Sequence, residues 1–186
     1  MGRVVDRGAI FAGWVGLGMA VVAAISLELI IAVQTLVFLA APLMGALIGW
    51  YADARSDRRR PWGRVLANAL YAGAVTGIGL ALLYGAVRLV FIYGDGGYRD
   101  PLLGGQIQCA GGPACTYQRY LLDGRAADLA QVGVTDAATF ERYLLAEQLN
   151  GGLVLVGTTL GGALVGGVVA GLRGRRPVDR GALAAT

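Results

Sequence analysis

Long apolar tracts alternate along this chain with short basic or glycine-rich segments. The first tract runs from Ile10 to Tyr51 and is broken only by Ser26, Glu28, Gln34 and Thr35. A helix that crosses the hydrocarbon layer of a bilayer needs about 20 residues, so this tract fits two spans and a tight turn. The pattern predicts helices near Ala9–Leu27 and Thr35–Trp50, with the turn over Glu28–Gln34, a stretch that lacks the usual Gly or Pro turn residues. A third tract runs from Val65 to Tyr93 and a fourth from Gly152 to Leu172.

Residues 94–150 have a different pattern. The first part, to 115, is rich in Gly with Pro101 and Pro113, and reads as loop. Two helix-like stretches follow, in which Thr116-Tyr117-Gln118-Arg119-Tyr120-Leu121-Leu122 recurs as Thr139-Phe140-Glu141-Arg142-Tyr143-Leu144-Leu145. The second is expected to start at Thr135 as N-cap, with Asp136 behind it to favour the helix dipole. It is expected to stop at Asn150-Gly151, with Phe140, Tyr143, Leu144 and Leu149 as one apolar face. The pair is expected to lie over the span ends or along the headgroups.

Four blocks recur in order. Gly2-Arg3-Val4-Val5 and the segment from Ala9 to Ala20 match Gly63-Arg64-Val65-Leu66 and the segment from Ala69 to Ala81, with single-residue gaps. Gly45-Ala46-Leu47-Ile48-Gly49 before Arg59-Arg60-Pro61 matches Gly162-Ala163-Leu164-Val165-Gly166 before Arg175-Arg176-Pro177. Chance among Gly, Ala, Val and Leu is the competing explanation, and the shared order and basic ends favour duplication. Two hairpins of equal orientation would then be related by an axis along the membrane normal.

The expected fold is therefore all-α and polytopic: four transmembrane helices as two tandem hairpins, with a helical, disulfide-stapled extracytoplasmic insertion. Its expected divisions are residues 1–64 (first hairpin and basic cytoplasmic loop), 65–93 (third span), 94–150 (extracytoplasmic loop and short helical pair) and 151–186 (fourth span and basic tail).

Composition agrees with that class. Residues of the AVILMFWYC set make up 56% of the 186, and charged residues only 15%, against about 25% in soluble globules. A nucleic-acid partner is not expected despite the net charge of +4. Lysine and histidine are absent, so all 16 positive side chains are arginines. Eleven of them fall at the N-terminus, in the 51–64 loop and in the tail. Arg99, Arg119, Arg125 and Arg142 fall on the opposite side of four spans, and Arg88 lies within the third. Because basic loops stay inside, both termini are expected in the cytoplasm of a bacterial inner-membrane protein. A signal peptide ending at Ala24-Ile25-Ser26 is the alternative for the N-terminus; the apolar tract continues past it, as a second span would.

Candidate functional residues are few. Cys109 and Cys115, the only cysteines, are expected to form a disulfide on an oxidising exterior. Glu28 and Arg88 sit equally far beyond the matched residues Ala9 and Ala69, so an intramembrane ion pair is expected near one boundary. Gly16, Gly45, Gly49, Gly73, Gly77, Gly157, Gly161, Gly162 and Gly166 are the expected helix-packing positions, since small residues let helix backbones approach in lipid. On the fourth span Gly157, Gly161 and Gly171 fall on one face, with Gly162 and Gly166 nearly opposite. No phosphate loop, Gly-x-Ser-x-Gly elbow, haem-attachment or metal-binding run occurs, so neither cofactor nor metal is expected. The few polar residues within the spans, Asn68 and Thr76 among them, make only a sparse track. The sequence thus predicts a non-catalytic membrane subunit, in contact with lipid and other membrane proteins, that stabilises or helps assemble a larger complex. A small oligomeric transporter or channel built from the duplicated hairpins is the runner-up.

Overall fold

The computed structural model describes residues 4–30, 34–56, 61–94, 109 and 111–173. Among these, every regular element is helical. Helix α1 (Arg7–Ala24) continues into a π-helical segment, Ile25–Ile30, and is followed by α2 (Gln34–Ala54), α3 (Trp62–Gly94), α4 (Pro113–Leu122), α5 (Ala126–Gln131) and α6 (Ala137–Arg173). Four segments are long and apolar enough to cross a membrane: Arg7–Glu28, Thr35–Ala54, Trp62–Gly94 and Ala137–Arg173.

Two expectations need correction. The first helix does not stop at Leu27, because a wider helical winding carries the chain on to Ile30. Nor does a helix stop at Asn150-Gly151, since α6 is a single helix of 37 residues. Two adjacent weak helix formers cost only about 1 kcal/mol apiece. Buried Leu144 and Leu155, on either side of them, hold the helix by packing. In place of the expected helical pair the chain forms α4, the short α5 and the start of α6.

The chain forms two compact units, one of residues 1–80 with 154–186 and one of 81–153. In the first, α1 meets α2 antiparallel: Gly8 lies against Arg55 and Ser56, and the Phe11 and Tyr51 rings are 6.4 Å apart. α3 meets α6 antiparallel as well, with Gly73 against Leu160 and Ala163, and Gly77 against Val156 and Thr159. α2 and α6 run parallel. A Cβ on Gly45 would overlap the Thr159 carbonyl and one on Gly49 the Ala163 carbonyl. Reciprocally, Gly162 abuts the Pro42 carbonyl and Gly166 the Ala46 carbonyl. The core is correspondingly built of small residues, with Ala9, Ala12, Ala52 and Ala72 clustered around Ile48.

Three buried polar side chains of this unit, Asn68, Thr76 and Thr159, find hydrogen-bond partners within it. The Asn68 amide accepts from the Asp6 N–H at 3.0 Å and donates to the Asp6 carboxylate at 2.9 Å. This ties the start of α1 to α3. Thr76 and Thr159, both fully buried, donate to the carbonyls of Ala72 and Leu155 four residues back.

The second unit is closed by aromatic packing. Leu129, Val134, Phe140 and Leu144 form its core, with Ile92, Tyr117, Tyr120 and Tyr143 against it. The Tyr120 and Phe140 rings meet edge-on at 5.1 Å. Gly124 and Gly133 adopt positive φ, 75° and 76°, and end α4 and α5 in the same way. The amide just past each glycine reaches back to a carbonyl of the last turn, Arg125 to Tyr120 at 3.0 Å and Val134 to Leu129 at 2.9 Å.

Candidate functional site

The expected packing glycines divide into two groups by what surrounds them. Gly45, Gly49, Gly162 and Gly166 lie at backbone contacts between α2 and α6, Gly73 and Gly77 lie between α3 and α6, and Gly16 faces the Thr76 hydroxyl on α3. Gly157 and Gly161 are exposed, and a Cβ on either would meet nothing within 4 Å. They share an open stripe of α6 with Val154 and Val165, which are 50% and 61% exposed. The two faces of α6 are thus different: one is closed by backbone contact, the other carries small residues with no neighbour among the described residues.

Cys109 and Cys115 lie with their sulfurs at disulfide-bonding distance and their Cα atoms 5.6 Å apart. Cys115 is buried in the first turn of α4. The bridge closes a loop containing Gly112 and Pro113, and Gly112 has a φ of 109° that only glycine adopts readily.

Glu28, in the π-helical segment, is 6% exposed. Arg88, on α3, is half-buried with its guanidinium 5.7 Å from the Tyr84 ring centre. Glu28 belongs to the first unit and Arg88 to the second, so the expected ion pair is not a contact internal to either. Among the described residues no group of three His, Cys, Asp or Glu could hold a metal ion.

The cap of α6 differs from expectation by one residue. The Asp136 carboxylate accepts from the Thr139 N–H at 2.7 Å, and the Thr139 hydroxyl accepts from the Asp136 N–H at 3.0 Å. Asp136, not Thr135, is therefore the N-cap, in a reciprocal capping box. The Thr139 bonds hold its carboxyl below the ordinary 3.8. Of the expected apolar face, Phe140 and Leu144 are buried while Leu149 is exposed.

In the sequence Asn68 stands out only as one of a few scattered polar residues in the spans, and nothing there links it to Asp6. The partners are 62 positions apart, and no local pattern marks such a pair. Compared with known protein families, curated proteins and solved structures, the chain matches none.

Proposed function

We propose that the chain is a non-catalytic, multi-pass subunit of a larger membrane complex, which it joins through the open stripe of α6. The observation that carries this reading is the contrast between the two faces of that helix. Glycine weakens an isolated helix by about 1 kcal/mol relative to alanine, and in lipid it is useful where another backbone comes close. Gly162 and Gly166 have such a neighbour in α2, whereas Gly157 and Gly161 face open space. A partner helix laid over Gly157 and Gly161 would give them the same role.

Both termini would be cytoplasmic and residues 94–150 extracytoplasmic, a reading supported by the arginine distribution. An internal duplication belongs to the same reading, and it would relate the contacts between α2 and α6 to one another. The matched motifs, Gly45 to Gly49 and Gly162 to Gly166, each abut carbonyls of the other helix at corresponding steps. This reciprocity is what a two-fold relation between equal hairpins produces. A transporter would use the same symmetry but needs a polar route. The buried hydroxyls of Thr76 and Thr159 are bonded to their own helices, which favours the packing role.

Native mass measurement after extraction in mild detergent tests the proposal. The wild-type chain should appear in a complex of fixed stoichiometry with a different membrane protein. Gly161→Leu should leave a folded chain that has lost this partner, whereas Gly162→Leu, whose side chain would collide with the Pro42 carbonyl, should fail to fold. A Gly161→Leu protein with unchanged native mass would sink the reading.

A further inference from the structure

We infer that Arg55 and Arg7, at the shared end of α1 and α2, seat the headgroup phosphate of an anionic phospholipid whose acyl chain runs down the exposed face of α1. This site needs those two helices to cross a membrane; it does not need the partner proposed for α6.

The Arg55 guanidinium is held at two aromatic rings. The Arg55 backbone N–H donates to the Tyr51 carbonyl at 3.1 Å, so its side chain starts one turn beyond Tyr51. The guanidinium carbon lies 5.3 Å from the Tyr51 ring centre and 5.9 Å from that of Phe11, within the range of a cation–π contact. The two rings, one from each helix, are 6.4 Å apart. A guanidinium stacked on rings keeps its N–H edge for an acceptor.

Arg7 reaches the same place through its neighbour. Gly8 packs so closely on the end of α2 that a Cβ there would stand 2.9 Å from the Arg55 carbonyl oxygen. Arg7 also precedes Phe11 by four residues, which puts the two on one face of α1. Both arginines are exposed, and among the described residues neither is in an ion pair. The described carboxylates nearest to them in sequence face other helices. Asp6 accepts from the Asn68 amide on α3 at 2.9 Å, and Asp53 Oδ2 lies toward Gly167 on α6. An anion from outside the chain is the acceptor this pair of guanidinium groups suits.

Depth and the surface below the arginines select a lipid. Arg7 begins the apolar segment Arg7–Glu28, and Arg55 follows the segment Thr35–Ala54, so both stand at the edge of the hydrocarbon, where headgroup phosphates lie. Arg7, Phe11, Trp14 and Gly18 recur every three or four residues and are all exposed, one continuous stripe of α1. Gly18 is about 16 Å from Arg7 along the axis, close to the middle of a ~30 Å hydrocarbon layer. Nothing lies within 4 Å of where its Cβ would stand. The stripe is thus cationic at its end, aromatic below and open at mid-depth, the order a phospholipid presents from phosphate to acyl chain. The two non-ester oxygens of a phosphodiester match a guanidinium fork in charge-assisted hydrogen bonds. A headgroup without a compensating cation keeps the net charge that attracts the arginines.

The full-length protein in detergent micelles, supplied with equal phosphatidylglycerol and phosphatidylcholine, gives the test by native mass spectrometry. Each arginine at the headgroup layer is worth about fivefold in retention of an anionic lipid, so wild type should hold phosphatidylglycerol about 25-fold over phosphatidylcholine. Arg55→Gln and Arg7→Gln should each lower that ratio about fivefold, while Arg142→Gln, exposed in the other unit, should leave it unchanged. Arg7 is the first residue of α1, and its replacement carries the test should Arg55→Gln fail to fold. Near-equal retention of the two lipids by wild type overturns the site and needs no variant. An equal drop in all three variants, or no drop in the first two, overturns it as well, since either would mean attraction by net charge alone. Collapse of the ratio in millimolar inorganic phosphate would assign the arginines to a soluble anion and overturn the lipid. The readout is bound lipid, so loss of this site is separable from loss of a protein partner, which changes the protein mass.

Discussion

Asn68 makes both polar bonds that fasten the start of α1 to α3, in a fully buried position. Losing a buried hydrogen-bonding partner costs about 1–3 kcal/mol. Asn68→Leu should therefore lower the thermal midpoint in detergent and speed amide exchange in the first turn of α1, without altering the second unit. Asp136 gives a pH prediction at the same scale. Its carboxyl is held below 3.8, first by the Thr139 backbone N–H and then by the Thr139 hydroxyl. A depressed folded-state value means the cap's contribution is present above the unfolded value and is lost as pH falls through the folded one. Amide exchange at Thr139 and Phe140, corrected for its intrinsic pH dependence, should thus accelerate in acid below about pH 4, and Asp136→Asn should flatten that response. At this scale the sequence was half legible. It located a capping cluster but not which residue caps, because Thr135, Asp136 and Thr139 all carry suitable oxygens and only their backbone angles choose among them.

At the scale of elements, the same residue type has opposite consequences in different surroundings. A Cβ added at Gly18 would meet nothing within 4 Å, whereas one at Gly49 would run into the Ala163 carbonyl. Gly18→Ala should be neutral or raise stability by up to about 1 kcal/mol, while Gly49→Ala must push α2 from α6 and should lower the unfolding midpoint clearly. Equal midpoints for the two variants would contradict the close approach of these helices. The disulfide belongs to this scale too. Intact mass should increase on reduction by two hydrogens, and Cys109→Ser should increase exchange in α4 while leaving the spans folded. The four apolar segments were legible because length and hydropathy suffice to mark them. The continuity of α6 through Asn150-Gly151 was not, since local propensity argues for a stop and tertiary packing decides against it. The π-helical winding at Ile25–Ile30 was hidden for the same reason: no local residue signal distinguishes it from the end of a helix.

For the whole molecule, composition carried most of the information and pairing the least. Only 28–39% of each apolar spanning window is buried within the chain, so most of that surface needs lipid or protein around it. Which glycine stripe is closed and which stays open was beyond the sequence, because periodicity places residues on faces without saying what covers them. Orientation follows from a different physical fact, the difficulty of moving arginines across the bilayer during insertion. Arg55 and Arg64 flank the connection between α2 and α3, and Arg173 ends α6. Antiparallel packing of α3 with α6 in the first unit puts Trp62 beside Gly171, so Arg64 and Arg173 lie at the same end of that pair. Arg88, Arg119, Arg125 and Arg142 all belong to the second unit. If the arginine-rich end is cytoplasmic, a cysteine substituted at Ser56 should resist an impermeant thiol reagent in intact cells and react once the membrane is opened. One substituted at Gln131, at the end of α5, should react in intact cells. Reversal of both results would invert the orientation, and reaction of both in intact cells would break the four-span arrangement itself.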